Sequence, residues 1–162
     1  AKRFFLNDVL ELSLLVEAGE KEDPAVLQAF ANARKLTRQG QSGAALEAFT
    51  LFLSSHPGSA LAGRAAKNRI DLLIEAGRFP QAIQACRALL SASGDQLFRP
   101  WAQLALGRIQ EDALAQLYDA RAAYQAVLVD YPESLEADAA RDRLRRLAPR
   151  IDALESGRKE PG

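Results

Sequence analysis

The residue types that most often carry out chemistry are scarce in this chain, and their settings point to packing. His56 is the only histidine and Cys86 the only cysteine, so neither can pair with its own kind to hold a metal or close a disulfide. His56 precedes Pro57 as Tyr131 precedes Pro132, which puts it at a helix end rather than in a catalytic or ligating role. Cys86 takes a slot that matched segments fill with an aromatic residue, and it reads as a buried, inert thiol. Glu20, Glu22 and Asp23 cluster in a linker, where solvated charge is the ordinary explanation. No G-x-x-x-x-G-K-[ST], G-x-S-x-G or H-E-x-x-H is present. The expectation is a non-enzyme with no cofactor and no metal.

The bulk properties agree with a binding or structural role. Lys+Arg 21 balances Asp+Glu 21 in 162 residues, which argues against a general polyanion binder. No apolar run approaches the roughly 20 residues a membrane span needs. The length suits one domain with its own core. There is no methionine, which implies a chain processed or cut from a longer protein. One cysteine fits cytoplasm and periplasm alike, so the compartment stays open.

The elements that must position any site are helical. Ala and Leu make up roughly a third of the chain, and both enter helices at little cost. Apolar residues recur three and four apart, as in Leu27, Phe30, Ala31 and Ala33, or Ala120, Ala123, Tyr124, Val127 and Leu128. No alternation of period two competes, so the fold class is all-α.

The helices repeat. Ala45-x-x-x-Phe49 stands before Pro57 at the distance that separates Ala120-x-x-x-Tyr124 from Pro132, and Ala82-x-x-x-Cys86 lies between them. Gly40 precedes Ala45 as Gly77 precedes Ala82, fitting a left-handed turn between paired helices. His56-Pro57-x-Ser59 leads to Ala66-x-x-Arg69-Ile70-x-x-Leu73, and Tyr131-Pro132-x-Ser134 leads to Ala140-x-x-Arg143-Leu144-x-x-Leu147. Ser59 and Ser134 are expected to cap the helices that follow. Asp23-Pro24 and Phe79-Pro80 suit cap and first-turn positions.

This pattern resembles the tetratricopeptide repeat, which couples a small residue in its first helix with A-x-x-x-F and a closing proline in its second. The resemblance implies a right-handed superhelix of helical hairpins in one domain over 1–162. An apolar helix and linker occupy 1–22, and repeats follow at 23–59, 60–96 and 97–133. A closing helix spans 134–148, with a tail at 149–162. The second repeat has Gly94 where the family has proline, and the third carries Gly107 and one inserted residue between its helices. The links between repeats are longer than the family's common period. In this the chain resembles bacterial cell-envelope members, such as the lipoprotein of the outer-membrane barrel-insertion machine and the Tol–Pal-associated coordinator.

The family's ligand contacts come from inward positions of each first helix. Carried onto this sequence, the resemblance nominates Phe30 and Arg34, then Arg64, Lys67, Asn68 and Asp71, then Trp101 and Arg108. Leu104 takes the same kind of place, and Arg141 and Arg145 hold matching positions on the closing helix. Lys67 and Asn68 only faintly match the family's carboxylate clamp, because they share one helix.

Residues 3–18 form a separate feature. Phe5, Leu6, Val9, Leu10, Leu12 and Val16 surround a helix rather than lining one stripe, so more than one face of it must be covered. The cover is either two repeats of this chain or a second surface, including another copy.

Three functional readings stay open at this point. The leading one is a protein-interaction scaffold whose groove holds an acidic or amphipathic peptide or helix. The second is a packing module of a larger protein that forms a homodimer through residues 3–18. The third, RNA binding, is disfavoured by zero net charge and by the lack of repeated stacking aromatics.

Overall fold

The computed structural model describes residues 22–93 and 96–157. Among them are seven helices and no strand. They are α1 (Pro24–Arg38), α2 (Ser42–Ser55), α3 (Ala62–Glu75), α4 (Phe79–Ser91), α5 (Arg99–Arg108), α6 (Leu117–Asp130) and α7 (Glu136–Gly157), with a π-helical turn, Ile109–Ala113, continuing α5. The chain divides inside α3 into two compact units, Ala1–Leu72 and Leu73–Gly162. That boundary cuts the segment expected to be the second repeat.

Local chemistry explains most of the helix ends. Asp23 caps α1 by accepting the Ala25 amide at 2.8 Å, and Pro24 occupies the first turn. Pro80 and Pro100 sit likewise in the first turns of α4 and α5. Phe79 is itself the first residue of α4, and Arg78 holds the cap position without a side-chain bond. Gly40 and Gly77 carry φ of 71° and 68°, the left-handed turns between paired helices.

Ser59 accepts the Leu61 amide at 3.0 Å just ahead of α3. Its counterpart behaves differently: the Ser134 hydroxyl is buried with no partner among the described residues, so it does not cap α7. Glu22, expected to be solvated, accepts from the Ser59 hydroxyl at 2.7 Å and from the Ala60 amide, tying the entry of α1 to the loop before α3.

The N-terminal unit has an apolar core. Phe30, Ala33, Ala45, Phe49, Phe52, Leu61, Ala65 and Leu72 are buried together. Phe30 meets Phe49 and Phe52 edge-on, with ring centroids 5.9 and 5.7 Å apart, the favoured aromatic geometry. The alanines matter because they let α1 and α2 approach closely enough for the rings to fill the space between them. His56 closes this end of the unit, 5.2 Å from the Phe52 ring.

In the C-terminal unit α5, α6 and α7 enclose Leu104, Leu117, Ala120, Tyr124, Val127, Ala140, Leu147 and Ile151. Helix α7 runs to Gly157, past the end expected at 148, with Pro149 inside it. Pro149 lacks an N–H and would ordinarily weaken the helix there. Ile151, buried one turn beyond Leu147, carries the apolar stripe through the proline, and the Arg150 side chain bonds inward to Glu111. Cys86 on α4 is fully buried.

Candidate functional site

The third repeat carries one residue more than the first between its paired helices, and the π-helical turn Ile109–Ala113 is where that residue is absorbed. A π turn is an α-helix with one residue inserted, and it re-aims the side chains around it. The chain then needs Ala115 at φ 52° to enter α6, an uncommon conformation for a residue with a Cβ.

The turn points Glu111 into the unit, where it is 6 % exposed. Its carboxylate accepts from the Tyr124 hydroxyl at 2.8 Å, from Arg143 at 3.2 Å and from Arg150. A buried carboxylate is costly without such partners. The next residue, Asp112, stays exposed and receives two bonds from Arg143, at 2.7 and 3.0 Å. Burial, and then the hydrogen bond to Glu111, push the Tyr124 phenol well above its ordinary pKa. Burial opposes the Arg143 charge, but the hydrogen bonds to Asp112 and Glu111 and the charge of the groups around it together outweigh burial and raise that group too. Gly107 completes the cluster by being small: a Cβ there would stand 2.5 Å from Tyr124 Cε1.

The same turn shapes a cleft of about 440 Å³, lined by Ile74, Phe79, Ala105, Arg108, Ile109, Asp112 and Ala113. Its lining is mainly apolar, with two charges at the edge. Asp112 is met by Arg143, whereas Arg108 is exposed and makes no ion pair among the described residues. The cleft therefore offers an apolar seat beside an available guanidinium. Such a group can hold a carboxylate by two parallel hydrogen bonds.

The residues nominated from the sequence fall in several settings. Arg108 lines this cleft, and Trp101 lies half-buried on the first turn of α5. Leu104 is in the core of the C-terminal unit. Arg141 pairs with Asp138 at 2.6 Å and Arg145 with Asp142, each within one turn of α7. In the N-terminal unit, Arg34 is half-buried on α1. On α3, Lys67 pairs with Asp71 at 2.8 Å, and Asn68 donates to the Arg64 carbonyl at 2.8 Å. Lys67 and Asn68 each thus engage a donor within their own helix. Arg64 is buried.

Phe30 requires correction: at 1 % exposure it belongs to the aromatic core and has no surface to offer a ligand. Its ring is the natural partner of Phe49 and Phe52, and burying it there is worth more than presenting it to a groove. Phe5, Leu6, Val9, Leu10, Leu12 and Val16 lie outside the described residues.

Ile74, Glu111 and Asp112 were not singled out from the sequence, and Phe79 was read only as a cap position. One signal was available: Tyr124 stands where Phe49 stands, and a buried phenol needs an acceptor. Among the described residues no group of three His, Cys, Asp or Glu side chains could hold a metal. Nor is any helix there long and apolar enough to cross a membrane.

No protein-family model matches the chain. No curated protein matches it either. Solved structures do. The first TPR domain of Spaghetti (RPAP3), bound to the HSP90 peptide SRMEEVD, superimposes with a TM-score of 0.62 at 20 % identity, covering 81 % of this chain and 96 % of that one. The first TPR domain of human RPAP3 gives 0.60 at 21 % identity, with 81 % and 95 % covered. The TPR domain of Arabidopsis OM64 gives 0.58 at 22 %, with 75 % and 95 % covered. The chain has the all-α helical-repeat fold of these tetratricopeptide domains.

Proposed function

We propose that the chain is a non-catalytic interaction scaffold that seats an acidic, amphipathic peptide or helix in the cleft beside Arg108. The observation that carries this reading is the pairing of an apolar seat with a guanidinium that makes no ion pair among the described residues. An apolar side chain of the partner would lie on Ile74, Phe79, Ala105 and Ile109, and a carboxylate near it would meet Arg108. The neighbouring Asp112 does not cancel that attraction, because Arg143 already holds it. A fold relative binds the peptide SRMEEVD, which carries three acidic residues, and that analogy lends support at the level of fold alone. The longer links between repeats suggest that the scaffold serves a bacterial cell envelope.

The test is a panel of short peptides that vary apolar spacing and charge, titrated against the full chain. Acidic, apolar members should bind, and Arg108→Glu and the cleft-filling Ala113→Leu should each weaken them by about tenfold. Binding that survives both substitutions would reject the cleft. Light scattering on the full chain and on a chain lacking residues 1–18 separates the alternative reading. A dimer that becomes a monomer on truncation would make residues 3–18 the working surface.

A further inference from the structure

Helix α5 carries a second cleft on its opposite side. Residues 105, 108, 109 and 112 face the first cleft, whereas 103, 106 and 110 fall on another row of the same helix. That row, with α6, lines a space of about 270 Å³ formed by Gln103, Leu106, Gln110, Asp119, Ala122 and Ala123. It is smaller than the roughly 300–1,000 Å³ typical of small-molecule pockets, so it suits one side chain rather than a whole ligand.

Two observations point to the chemistry of its occupant. Gln110 is 6 % exposed, and its amide oxygen is buried without a hydrogen-bond partner among the described residues. A buried polar atom of this kind is rarely left unmet in a native protein. Independently, Asp119 places a carboxylate at the edge, exposed and in no ion pair among the described residues. The amide nitrogen of Gln103 donates to the Ala123 carbonyl at 3.2 Å, which leaves the Gln103 amide oxygen as a further acceptor. The lining contains no cation.

We propose that this cleft receives a lysine side chain from a partner protein. The aliphatic stem would lie along Leu106, Ala122 and Ala123, and the ammonium would donate to the Gln110 oxygen and the Asp119 carboxylate. Separate acceptors suit three freely rotating donors better than the planar fork of an arginine. A long apolar stem with a charged head is also the side-chain shape that fits an apolar wall ending in a polar edge. This site is independent of the cleft beside Arg108, and Arg108→Glu should leave it intact.

The experiment is an amide-resolved NMR titration of the full chain with the peptide acetyl-Ala-Ala-Lys-Ala-Ala-amide. Controls replace the lysine by norleucine or by glutamate. The expected result is saturable shifts at the Gln110, Ala122 and Ala123 amides and at the Gln103 and Gln110 side-chain amides. Binding should weaken by about tenfold with norleucine, in Asp119→Asn and in Gln110→Leu. Ala122→Leu, a substitution at an exposed position, should abolish the shifts by filling the space. If Gln110→Leu fails to fold, Asp119→Asn and Ala122→Leu decide the matter. Shifts that are absent from this cleft, equal for norleucine, stronger for glutamate or retained in Ala122→Leu would overturn the proposal.

Discussion

The two units solve one packing problem in different ways. Each is built on an alanine followed four residues later by an aromatic ring, Ala45 with Phe49 and Ala120 with Tyr124, and each buries that ring completely. In the N-terminal unit the ring meets another ring, that of Phe30. In the C-terminal unit it carries a hydroxyl, and that atom is met by a buried carboxylate, which in turn requires two arginines from α7. A single extra oxygen thus goes with a polar network that joins the π turn, α6 and α7. A network of this kind adds little stability over an apolar filling of equal volume, whereas losing one member is costly. What it provides is position: α7 meets the rest of its unit through bonds that have direction as well as through apolar contact.

Glu111→Leu tests this contrast most severely. It leaves the buried phenol without its acceptor and takes the carboxylate from Arg150, while Arg143 keeps Asp112, and it should cost about 3 kcal/mol in urea unfolding. Replacing the whole network, with Glu111→Leu, Tyr124→Phe, Arg143→Leu and Arg150→Leu together, should recover most of that loss. Should the combined variant be no better than the single one, the network would be a source of stability in its own right.

Gly107→Ala comes next. The added methyl meets a ring that is fully buried and cannot swing away, at about 1–3 kcal/mol by the same measurement. A hydroxyl exchange sharpens the comparison further. Phe49→Tyr places an oxygen among described core residues that are all apolar, costing about 1–3 kcal/mol, and Tyr124→Phe should cost about 1.5 kcal/mol by removing a bond to a charged acceptor. If both changes proved neutral, the two cores would be interchangeable and the contrast would fall.

The smallest effect is in pH. The Tyr124 phenol is raised in the folded state, so its protonated form is favoured there. Its contribution is fully present below the unfolded value of about 10 and is lost as the pH rises above it. The alkaline decline in stability should therefore be shallower in Tyr124→Phe than in the parent chain.

Much of this was legible in the residues. Repeat phase located the paired helices, because small residues and turn glycines recur wherever helices must approach and reverse. The inserted residue was visible too, but its form was not. Periodicity counts an extra residue without saying which turn absorbs it, and Glu111 in a charged sequence looks like any surface acid. The closing helix, expected to end at 148 just before Pro149, runs on for the opposite reason. A local rule about proline was outweighed by the burial of Leu147 and Ile151 on either side, which only the fold reveals. Among the nominated cations, the resemblance put Lys67, Arg141 and Arg145 on helices. It could not show that each is paired with a carboxylate of its own helix, while the two acids a turn beyond Arg108, Glu111 and Asp112, are held by Arg143 and Arg150.

The fully buried Cys86 gives the C-terminal unit a built-in clock. It is the chain's only thiol, so a thiol reagent can react with the folded protein only through fluctuations that uncover α4. The pace of labelling therefore reads out the opening equilibrium of that helix, residue-specifically and without any denaturant. With a peptide bound beside Phe79, at the start of the same helix, the clock should slow in proportion to occupancy, reporting binding from a position the ligand does not touch.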